Sequence, residues 1–406
     1  MHVVLNRYSS RIFRLNYLFN KEAVALVPLQ IKEKYDLAVT EGDLLPEVIF
    51  IEDYTLPSLV SEIRKLSKNN NIESVTTLCE EDVDWAGFLN DHFAKKNTTS
   101  VSNLLFKDKY LMRSFLYGIV NQPYFRLLES KKDLELFWKN SKKDIAVIKP
   151  RNGAACVGIK KITIDTEVES NFYDGSYLIE EFINFTGMIT CDGYSVGASI
   201  KRFYVHENVE PLLDSLKNKG YYLLRTSKLY YENYEMIESA FLNCEIVLEE
   251  FSVEAEVTPF HFEWFYDLEN HQLTLCEVGK RFGGGYIPKL INDVYGTDIL
   301  CEYWEILTKN SVPKVLEGVA VIDIPKKISA TFALYKKSGY VNKVPRIEGI
   351  EWAQKIYLNL NKGDLVDASE SIIDNSMLVQ FISDSENDFL EKLNKIISLS
   401  TEIEYL

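Results

Sequence analysis

Residues 260–288 constrain the fold of this chain more than any other stretch. Two apolar runs, 260–265 and 272–278, flank a polar connection at 267–270 that has the composition of a turn. Apolar, aromatic-rich runs on either side of such a connection predict an antiparallel β-hairpin. We therefore expect the two runs to lie side by side in a sheet.

Each run contains one glutamate, Glu263 in the first and Glu277 in the second. An ionised carboxylate inside an apolar strand is costly unless a cation compensates its charge. Across a tight connection these two side chains can become neighbours, where they repel each other unless a divalent cation lies between them. Hard oxygen ligands suit Mg²⁺. The alternative is a hairpin with two unrelated glutamates.

The residues around this pair add further candidates. Arg281 follows Glu277 by four residues and precedes Gly283-Gly284-Gly285, a loop that could let a ligand approach the backbone. His261 lies two residues before Glu263 and therefore on the same strand face. His261 could belong to the site or could be a histidine unrelated to it, and the sequence leaves both interpretations open.

The composition is that of a folded globular protein with more than one domain. The chain has 406 residues, more than one hydrophobic core normally supports, and 46% of them are hydrophobic. Its net charge of −15 disfavours nucleic-acid binding. No apolar run approaches membrane-spanning length, and the start lacks the layout of a signal peptide. The six cysteines form no Cys-x-x-Cys pair, so we expect reduced thiols and a cytoplasmic location.

The first hundred residues alternate strand and helix signals. Buried parallel strands are predicted at 3–5, 23–27, 48–51 and 72–78, and helices at 56–66 and 80–93. This order predicts a small doubly wound α/β unit. Because no Gly-x-Gly-x-x-Gly follows the first strand, a dinucleotide site is not expected there.

Two lysines lie in positions suited to an anionic ligand. Lys109 begins a predicted helix with Asp108 as its N-cap, where a solvated lysine is the simple alternative. Lys149 ends an apolar strand and precedes a loop of small residues at 151–158. Such a loop can fold over phosphates and offer backbone N–H donors, although small residues are also common at hairpin tips. It is not a P-loop, because the lysine precedes the glycines and no helix follows.

The run 177–183 predicts a strand with the charged pair Glu180-Glu181 in its middle. One interpretation is a strand at a sheet edge. The other is a slot for adenine, in which the backbone reads the purine edge and apolar side chains clamp its faces. Farther on, predicted strands at 188–191 and 194–205 flank Asp192-Gly193, so we expect Asp192 to be a hairpin-turn residue.

The rest of the chain has no catalytic signature, neither His-x-x-x-His nor Gly-x-Ser-x-Gly. We predict a helix at 289–307 that continues past Gly296, strands at 319–324 and 328–335, and a closing helix at 384–398. The expected domains are 1–100, then 101–310 with a lysine-bearing half (101–180) and a metal-bearing half (181–310), and a mixed segment at 311–406.

Taken in order, these motifs resemble those of the ATP-grasp ligases. The resemblance covers about residues 106–307. It rests on Asp108-Lys109, on Lys149 with its loop, on the run 179–183, and on the acidic pair that ends in Glu277-Val-Gly-Lys-Arg-Phe-Gly-Gly-Gly285. It implies an α/β fold of ATP-grasp architecture, with a doubly wound pre-ATP-grasp domain in front and a mixed α/β segment behind. The last motif is most similar to the branch that contains bacterial L-amino acid ligases.

The resemblance also implies a role for each matching residue. It assigns Lys109 and Lys149 to the phosphates of ATP, under a loop at 152–158. It assigns Mg²⁺, with Mn²⁺ as an alternative ion, to Glu263 and Glu277, and the transferred phosphoryl group or the tetrahedral intermediate to Arg281. The loop would contribute Asn152, Gly153 and Gly158, and the adenine hinge would consist of Glu180, Glu181, Phe182 and Ile183.

Two positions depart from the family pattern. Many members have asparagine as a further metal ligand where this chain has Gly279. Many also have a glutamate for the ribose soon after the hinge, and residues 184–188 contain none. A second Mg²⁺ would therefore need another ligand or more water, and the ribose contact is unassigned.

The function implied is that of an ADP-forming ligase. It would activate a carboxylate, expected to be that of an amino acid, as an acyl phosphate and transfer it to an amine in peptide or small-molecule biosynthesis, for example of antibiotics. The alternative acceptor is the phosphopantetheine thiol of an acyl carrier protein, which the acidic charge disfavours, although a basic stretch at 217–219 could dock it. A nucleotide-binding regulator without activity is a third reading, disfavoured by the retained charged residues. A homodimer is expected at the family level, with no nucleic-acid or membrane partner.

Overall fold

The structure is a computed structural model that describes residues 1–94, 98–153, 157–209, 220–309, 318, 320–369 and 374–406. The middle of the predicted phosphate loop (154–156) and the basic stretch at 217–219 lie outside these residues. No helix in the described part of the chain is long and apolar enough to cross a membrane. The five cysteines within it are all free thiols.

The N-terminal part contains a four-stranded parallel sheet in the order β3-β2-β1-β4. Its strands are β1 (His2–Leu5), β2 (Ala23–Pro28), β3 (Glu47–Ile51) and β4 (Ser74–Thr77), and its helices are α1 (Lys32–Thr40), α2 (Leu56–Leu66) and α3 (Val83–Phe93). α2 and α3 pack on one face and α1 on the other. Because helices cover both faces, the strands consist of continuous apolar runs. The parallel sheet with helices on both faces confirms the predicted doubly wound α/β unit.

A second, four-stranded antiparallel sheet carries Lys149 and the predicted hinge. Its strands are β5 (Phe125–Leu127), β6 (Ile145–Pro150), β7 (Lys160–Thr163) and β8 (Tyr177–Glu181), in the order β5-β8-β6-β7. Helix α6 (Lys131–Asn140) covers one face through a small core around Phe137. Two short helices, α4 (Ser100–Lys107) and α5 (Lys109–Phe115), precede this sheet in the chain.

The third sheet is antiparallel and has eight strands in the order β13-β12-β9-β10-β11-β14-β18-β16. In chain order these are β9 (Gly187–Val196), β10 (Ser199–Asn208), β11 (Tyr221–Thr226), β12 (Val257–Asp267), β13 (Gln272–Gly279), β14 (Ile328–Tyr335), β16 (Lys355–Leu358) and β18 (Asn375–Ser383). Helix α8 (Tyr234–Phe251), which follows the short α7 (Leu229–Glu232), packs on one face. β12 and β13 form the predicted hairpin, and the last three strands of the sheet come from the C-terminal quarter.

The prediction of a turn at Asp192-Gly193 is wrong. Both residues lie inside β9, and Asp192 pairs with Tyr204 on one side and His261 on the other. Gly193 is there because a Cβ would lie 1.9 Å from the carbonyl oxygen of Arg202. The hairpin turns instead around Gly197, whose φ of 56° lies in the left-handed region. Asp192-Gly193 thus has the composition of a turn, but its glycine allows β9 and β10 to pack closely.

Two smaller predictions also fail. The predicted helix at 289–307 is interrupted at Gly296, whose φ of 68° ends α9 (Ile287–Tyr295) before α10 (Ile299–Lys309) begins. The predicted strand at 319–324 is absent from the described residues 320–324. The closing helix is α11 (Glu386–Ser400), and β15 (Gly339–Lys343), β17 (Leu365–Val366) and β19 (Glu404–Tyr405) form a small third antiparallel sheet.

Candidate active site

A large cavity, of about 1470 Å³, lies between the three larger sheets. Its lining includes the hairpin glutamates, both candidate lysines, the hinge, the glycine loop, and residues of the first sheet and of the C-terminal strands. Pockets for one small ligand measure roughly 300–1,000 Å³. This cavity therefore has room for more than one substrate.

The two hairpin glutamates are direct cross-strand partners, as the sequence predicts. Both line the cavity, with 14% of the Glu263 side chain and 23% of the Glu277 side chain exposed. Burial opposes ionisation, but the positive charges of Lys109 and Lys149 outweigh it and lower the pKa of Glu277. The pair is thus a carboxylate surface that faces the cavity.

Lys109 is a buried site residue rather than a solvated one. Asp108 caps α5 by accepting hydrogen bonds from the N–H groups of Tyr110 and Leu111, at 2.9 and 3.3 Å. This fixes the first turn so that the Lys109 ammonium lies 3.1 Å from a carboxylate oxygen of Glu277 and donates to the Gly153 carbonyl at 2.6 Å. The lysine therefore joins the β12–β13 hairpin to the start of the predicted phosphate loop.

Lys149 belongs to a buried ion-pair cluster that the sequence did not reveal completely. Its ammonium lies 2.6 Å from Glu180, and Arg113 contacts the same carboxylate at 2.9 and 3.3 Å. Arg113 also donates to the Cys276 carbonyl at 2.6 Å. Burial would raise the pKa of Glu180, but the two cations lower it to about 2. The Glu180 side chain is thus held by the protein itself.

Arg281 contacts a residue of the N-terminal part, Glu80, which sequence reasoning missed. Its Nε donates to a Glu80 oxygen at 2.7 Å, and Nη1 donates to the Phe282 carbonyl at 3.1 Å. Burial would raise the pKa of Glu80, but Arg281, Lys107 and Lys109 lower it to about 2. This pair joins the first sheet to the cavity and fixes the orientation of the guanidinium.

The predicted hinge and loop residues do not all face the cavity. Phe182, Ile183 and both hinge glutamates line it, as does Gly153. The Glu181 carboxylate turns aside to accept hydrogen bonds from the Ser141 hydroxyl and the Lys142 N–H, at 2.9 and 2.7 Å. The remaining two loop candidates, Asn152 and Gly158, are outside the lining.

His261 enters the site through Asp192. Its Nδ1 lies 2.8 Å from Asp192, its Nε2 lies 3.4 Å from Glu263, and the same Asp192 oxygen accepts the Gly283 N–H at 2.9 Å. Burial would lower the pKa of His261, but Asp192 raises it to about 9. A Cβ on Gly283 would lie 2.5 Å from Asp192. This contact anchors the glycine loop beside the hairpin glutamates.

The residue set suits a magnesium nucleotide. Two lysines and an arginine point into a cavity that also presents two carboxylates, a balance that polyphosphate with a divalent cation would complete. Within the described ranges, no group of three or more His, Cys, Asp or Glu side chains is placed to hold a metal ion. Mg²⁺ between Glu263 and Glu277 would therefore take its other ligands from phosphate oxygens and water.

Comparison with solved structures identifies the fold. The L-amino acid ligase from Bacillus licheniformis is similar over 100% of this chain and 98% of its own, at 14% identity and a TM-score of 0.75. The N5-carboxyaminoimidazole synthetase from Staphylococcus aureus, complexed with ADP, is similar over 97% and 96%, at 12% identity and a TM-score of 0.68. The biotin carboxylase domain of Hydrogenobacter thermophilus 2-oxoglutarate carboxylase, in complex with MgADP, is similar over 100% and 90%, at 13% identity and a TM-score of 0.65.

The chain has the ATP-grasp fold, with a parallel α/β sheet at its N-terminus and antiparallel sheets in the remainder. The resemblance drawn from the sequence motifs is therefore confirmed at the level of fold. No family model matches the chain, and no curated protein matches it. At identities this low, the activity has to be argued from the site itself.

Proposed function

We propose that this protein is an ATP-dependent, ADP-forming ligase that activates the carboxylate of an amino acid and transfers the acyl group to an amine. The observation that carries the proposal is the convergence of Lys109, Lys149 and Arg281 on the cavity that Glu263 and Glu277 line. An amino acid substrate is supported by the structural similarity to a protein described as an L-amino acid ligase.

In the proposed reaction the carboxylate attacks the terminal phosphorus of ATP, ADP leaves, and the amine then displaces phosphate from the acyl phosphate. Mg²⁺ held by Glu263 and Glu277 would supply charge neutralisation at the phosphate oxygens. Lys109 and Lys149 hold positive charge beside the phosphates, and Arg281 stabilises the group being transferred. Phe182 and Ile183 provide apolar contacts for the adenine, next to the backbone of the hinge.

The division of labour among the parts of the chain is proposed as well. Residues 1–100 supply Glu80 to orient Arg281, 101–180 supply the two lysines, and 181–310 supply the glutamates and Arg281 itself. Residues 311–406 supply strands that extend the cavity. The ion pair at 2.7 Å between Glu80 and Arg281 supports a role for the N-terminal unit in forming the site.

A screen of ADP release tests the proposal. Purified protein with ATP and Mg²⁺ is given the twenty amino acids singly and in pairs, and both ADP and AMP are quantified. We expect ADP release that depends on one amino acid and a coupled product that depends on a pair. Release of AMP in place of ADP would contradict the acyl-phosphate route.

A matched pair of variants ties this activity to the site. Glu277→Gln removes a proposed metal ligand at nearly constant shape, and we expect a loss of at least about 100-fold in kcat. Glu269→Gln makes the same change in the exposed hairpin turn, and we expect activity within about two-fold of the parent. Equal turnover in Glu277→Gln and the parent would contradict the assignment.

The acceptor needs its own measurement, because the chemistry of activation is the same for an amine and a thiol. Mass spectrometry of the products with free amino acids should detect an amide. Incubation with an acyl carrier protein instead should leave that protein unmodified. A thioester on its phosphopantetheine arm would overturn the amine acceptor and leave the activation step standing.

A further inference from the structure

The cavity continues well beyond the charged cluster, along one face of the eight-stranded sheet. Asn208 on β10 pairs with Leu224, Leu224 pairs with Thr331, and Thr331 pairs with Gln380 on β18. Direct cross-strand partners point to the same face of a sheet. These residues therefore form a row across the cavity side, and all of them except Leu224 line the cavity.

Polar atoms in this part of the cavity lack hydrogen-bond partners. Gln380 is 0% exposed, and neither its amide nitrogen nor its amide oxygen has a hydrogen-bond partner among the described residues. The Oδ1 of Asn208, which also lines the cavity, likewise has none there. Buried polar groups in folded proteins are nearly always satisfied. Two such residues on two strands, both lining one cavity, indicate groups that a ligand satisfies.

The walls beside this polar row are apolar and aromatic. Tyr222, Ala333, Leu378 and Tyr357 are successive cross-strand partners on β11, β14, β18 and β16, and all four line the cavity. At the far end the ring of Tyr286 stacks on Tyr357 with centroids 6.0 Å apart. This arrangement accepts an extended apolar body against aromatic faces.

The glycine loop forms the roof and connects this end to the charged end. Gly283 is bound to Asp192 beside the hairpin glutamates, and two residues later the Gly285 carbonyl accepts the Thr331 hydroxyl at 2.7 Å. Gly285 has a φ of 63°, and a Cβ there would lie 3.1 Å from Leu224. Glycine at 285 thus lets the loop rest on the sheet at Leu224 and Thr331. The slot is the part of the cavity beside this contact, which Ala333, Leu378 and Gln380 line.

We propose that this slot binds one of the ligase substrates, and that the substrate is a peptide or a comparably long molecule with an uncharged hydrogen-bonding group, such as a carboxamide, at its far end. The inference rests on the proposed ligase function. From β12, which carries Glu263, to β18, which carries Gln380, there are five strand spacings of about 4.8 Å, so the substrate spans on the order of 20 Å.

The neutral character of the far group follows from the residues that would meet it. Asn208, Thr331 and Gln380 form the floor and carry no charge, and a buried charged group without a counter-ion is strongly disfavoured. Lys355 is the direct cross-strand partner of Gln380 and also lines the cavity, but its ammonium lies over the Tyr357 ring, 4.8 Å from the centroid, and makes no hydrogen bond to the Gln380 amide. A carboxamide matches the free donor and acceptor of Gln380.

Calorimetric binding tests the inference without requiring turnover. The probes are glutamine, Ala-Gln and Ala-Ala-Gln as C-terminal methyl esters, so that the far end carries no α-carboxylate, together with the tripeptide methyl esters that end in glutamate and leucine, all in the presence of ADP and Mg²⁺. We expect affinity to rise with length, and Ala-Ala-Gln to bind about ten-fold more tightly than either isostere. Equal affinities for the three endings, or binding of single amino acids as tight as that of tripeptides, would overturn it.

Two variants with matched controls assign the effect to the slot. Gln380→Met should abolish the preference for the glutamine ending, whereas Gln354→Met, at an exposed position directly before β16, should retain it. Leu378→Trp should fill the slot and weaken the tripeptides at least about ten-fold relative to glutamine. Leu365→Trp, at a side chain 81% exposed, should not. Unchanged selectivity in both slot variants would overturn the inference.

The two proposals fail in different ways. If ADP binds and the tripeptides bind with the expected selectivity, but no amino acid or peptide releases ADP, the ligase function fails and the slot survives as a binding site. If ADP release requires only short amino acids and no tripeptide binds, the ligase function stands and the slot is wrong.

Discussion

The two ends of the cavity treat their polar groups in opposite ways. At the end with the lysines, nearly every charge has a partner within the protein: Glu180 is held by Arg113 and Lys149, Glu277 by Lys109, and Arg281 by Glu80. At the far end, Gln380 is buried, and no residue in the described part of the chain hydrogen-bonds to its amide. The first end is ordered before a ligand arrives, as electrostatic stabilisation of a transition state requires. The second depends on its ligand, which is the arrangement expected of a specificity pocket.

Removing Arg113 should have the largest effect on stability, because it breaks the charge balance at the ordered end. Arg113→Met leaves Glu180 with only Lys149 as a counter-ion in a buried place. We expect a loss of about 3–5 kcal/mol in the free energy of unfolding. Urea unfolding monitored by circular dichroism measures it. In the control, Arg126→Met breaks the partly exposed ion pair with Asp133, at 2.9 Å, and should cost less than about 1 kcal/mol.

Removing Arg281 should damage catalysis more than stability. Its guanidinium is oriented by Glu80 and lines the cavity, so Arg281→Met deletes the proposed stabiliser of the transferred phosphoryl group. We expect kcat to fall by about 10²–10³-fold, with ADP affinity nearly unchanged. Arg346→Met, at an exposed position, is the matched control. A variant that loses affinity for ADP but keeps kcat would show that Arg281 acts in nucleotide binding instead.

The pH dependence of stability isolates the same cluster. The pKa of Glu180 is lowered to about 2 in the folded protein, whereas an unfolded glutamate titrates near 4.3. As the pH falls below about 4.5, the unfolded chain binds a proton that the folded protein does not, and stability is lost until about pH 2. The contribution involved is about 3 kcal/mol. In Arg113→Met much of this contribution should be absent even at neutral pH.

The quantity to measure is therefore the difference in unfolding free energy between the parent and Arg113→Met as a function of pH. We expect the gap in unfolding free energy between the parent and Arg113→Met to narrow steadily from about pH 4.5 downwards, because other carboxylates titrate equally in both proteins. A gap that stays constant over this range would mean that Glu180 does not depend on Arg113 for its charge.

The sequence reveals site residues that belong to local motifs, but not those whose partners are distant in the chain. Lys109, Lys149, Glu263 and Glu277 stand out because their motifs combine a charge with a strand end, a cap or a hairpin that local patterns reveal. Arg113 and Glu80 do not, since their partners are 67 and 201 residues away and a single charge on a helix has many ordinary explanations. Only the folded chain reveals that they complete the charge balance.

Local sequence patterns also do not reveal how strands pack against one another. Asp192-Gly193 has the composition of a turn, and only the close approach of β9 to β10 shows why glycine is needed inside a strand. The slot itself depends on the register of β11, β14 and β18, strands that are joined by long connections. A hydrophobic pattern predicts that such strands exist, but it does not predict which residues become neighbours.

The smallest predicted effect has the opposite sign from the others. Gln380→Met replaces a buried side chain, whose amide has no hydrogen-bond partner within the described ranges, by an apolar side chain of similar size. Because the unpaired amide loses its hydration on folding, we expect the variant to be more stable by about 1 kcal/mol in the absence of substrate. Urea unfolding measures this, and Gln354→Met, at an exposed position, should change stability by less than about 0.5 kcal/mol. A loss of stability in Gln380→Met would mean that the amide is satisfied within the protein, and the two ends of the cavity would then not differ in the way described.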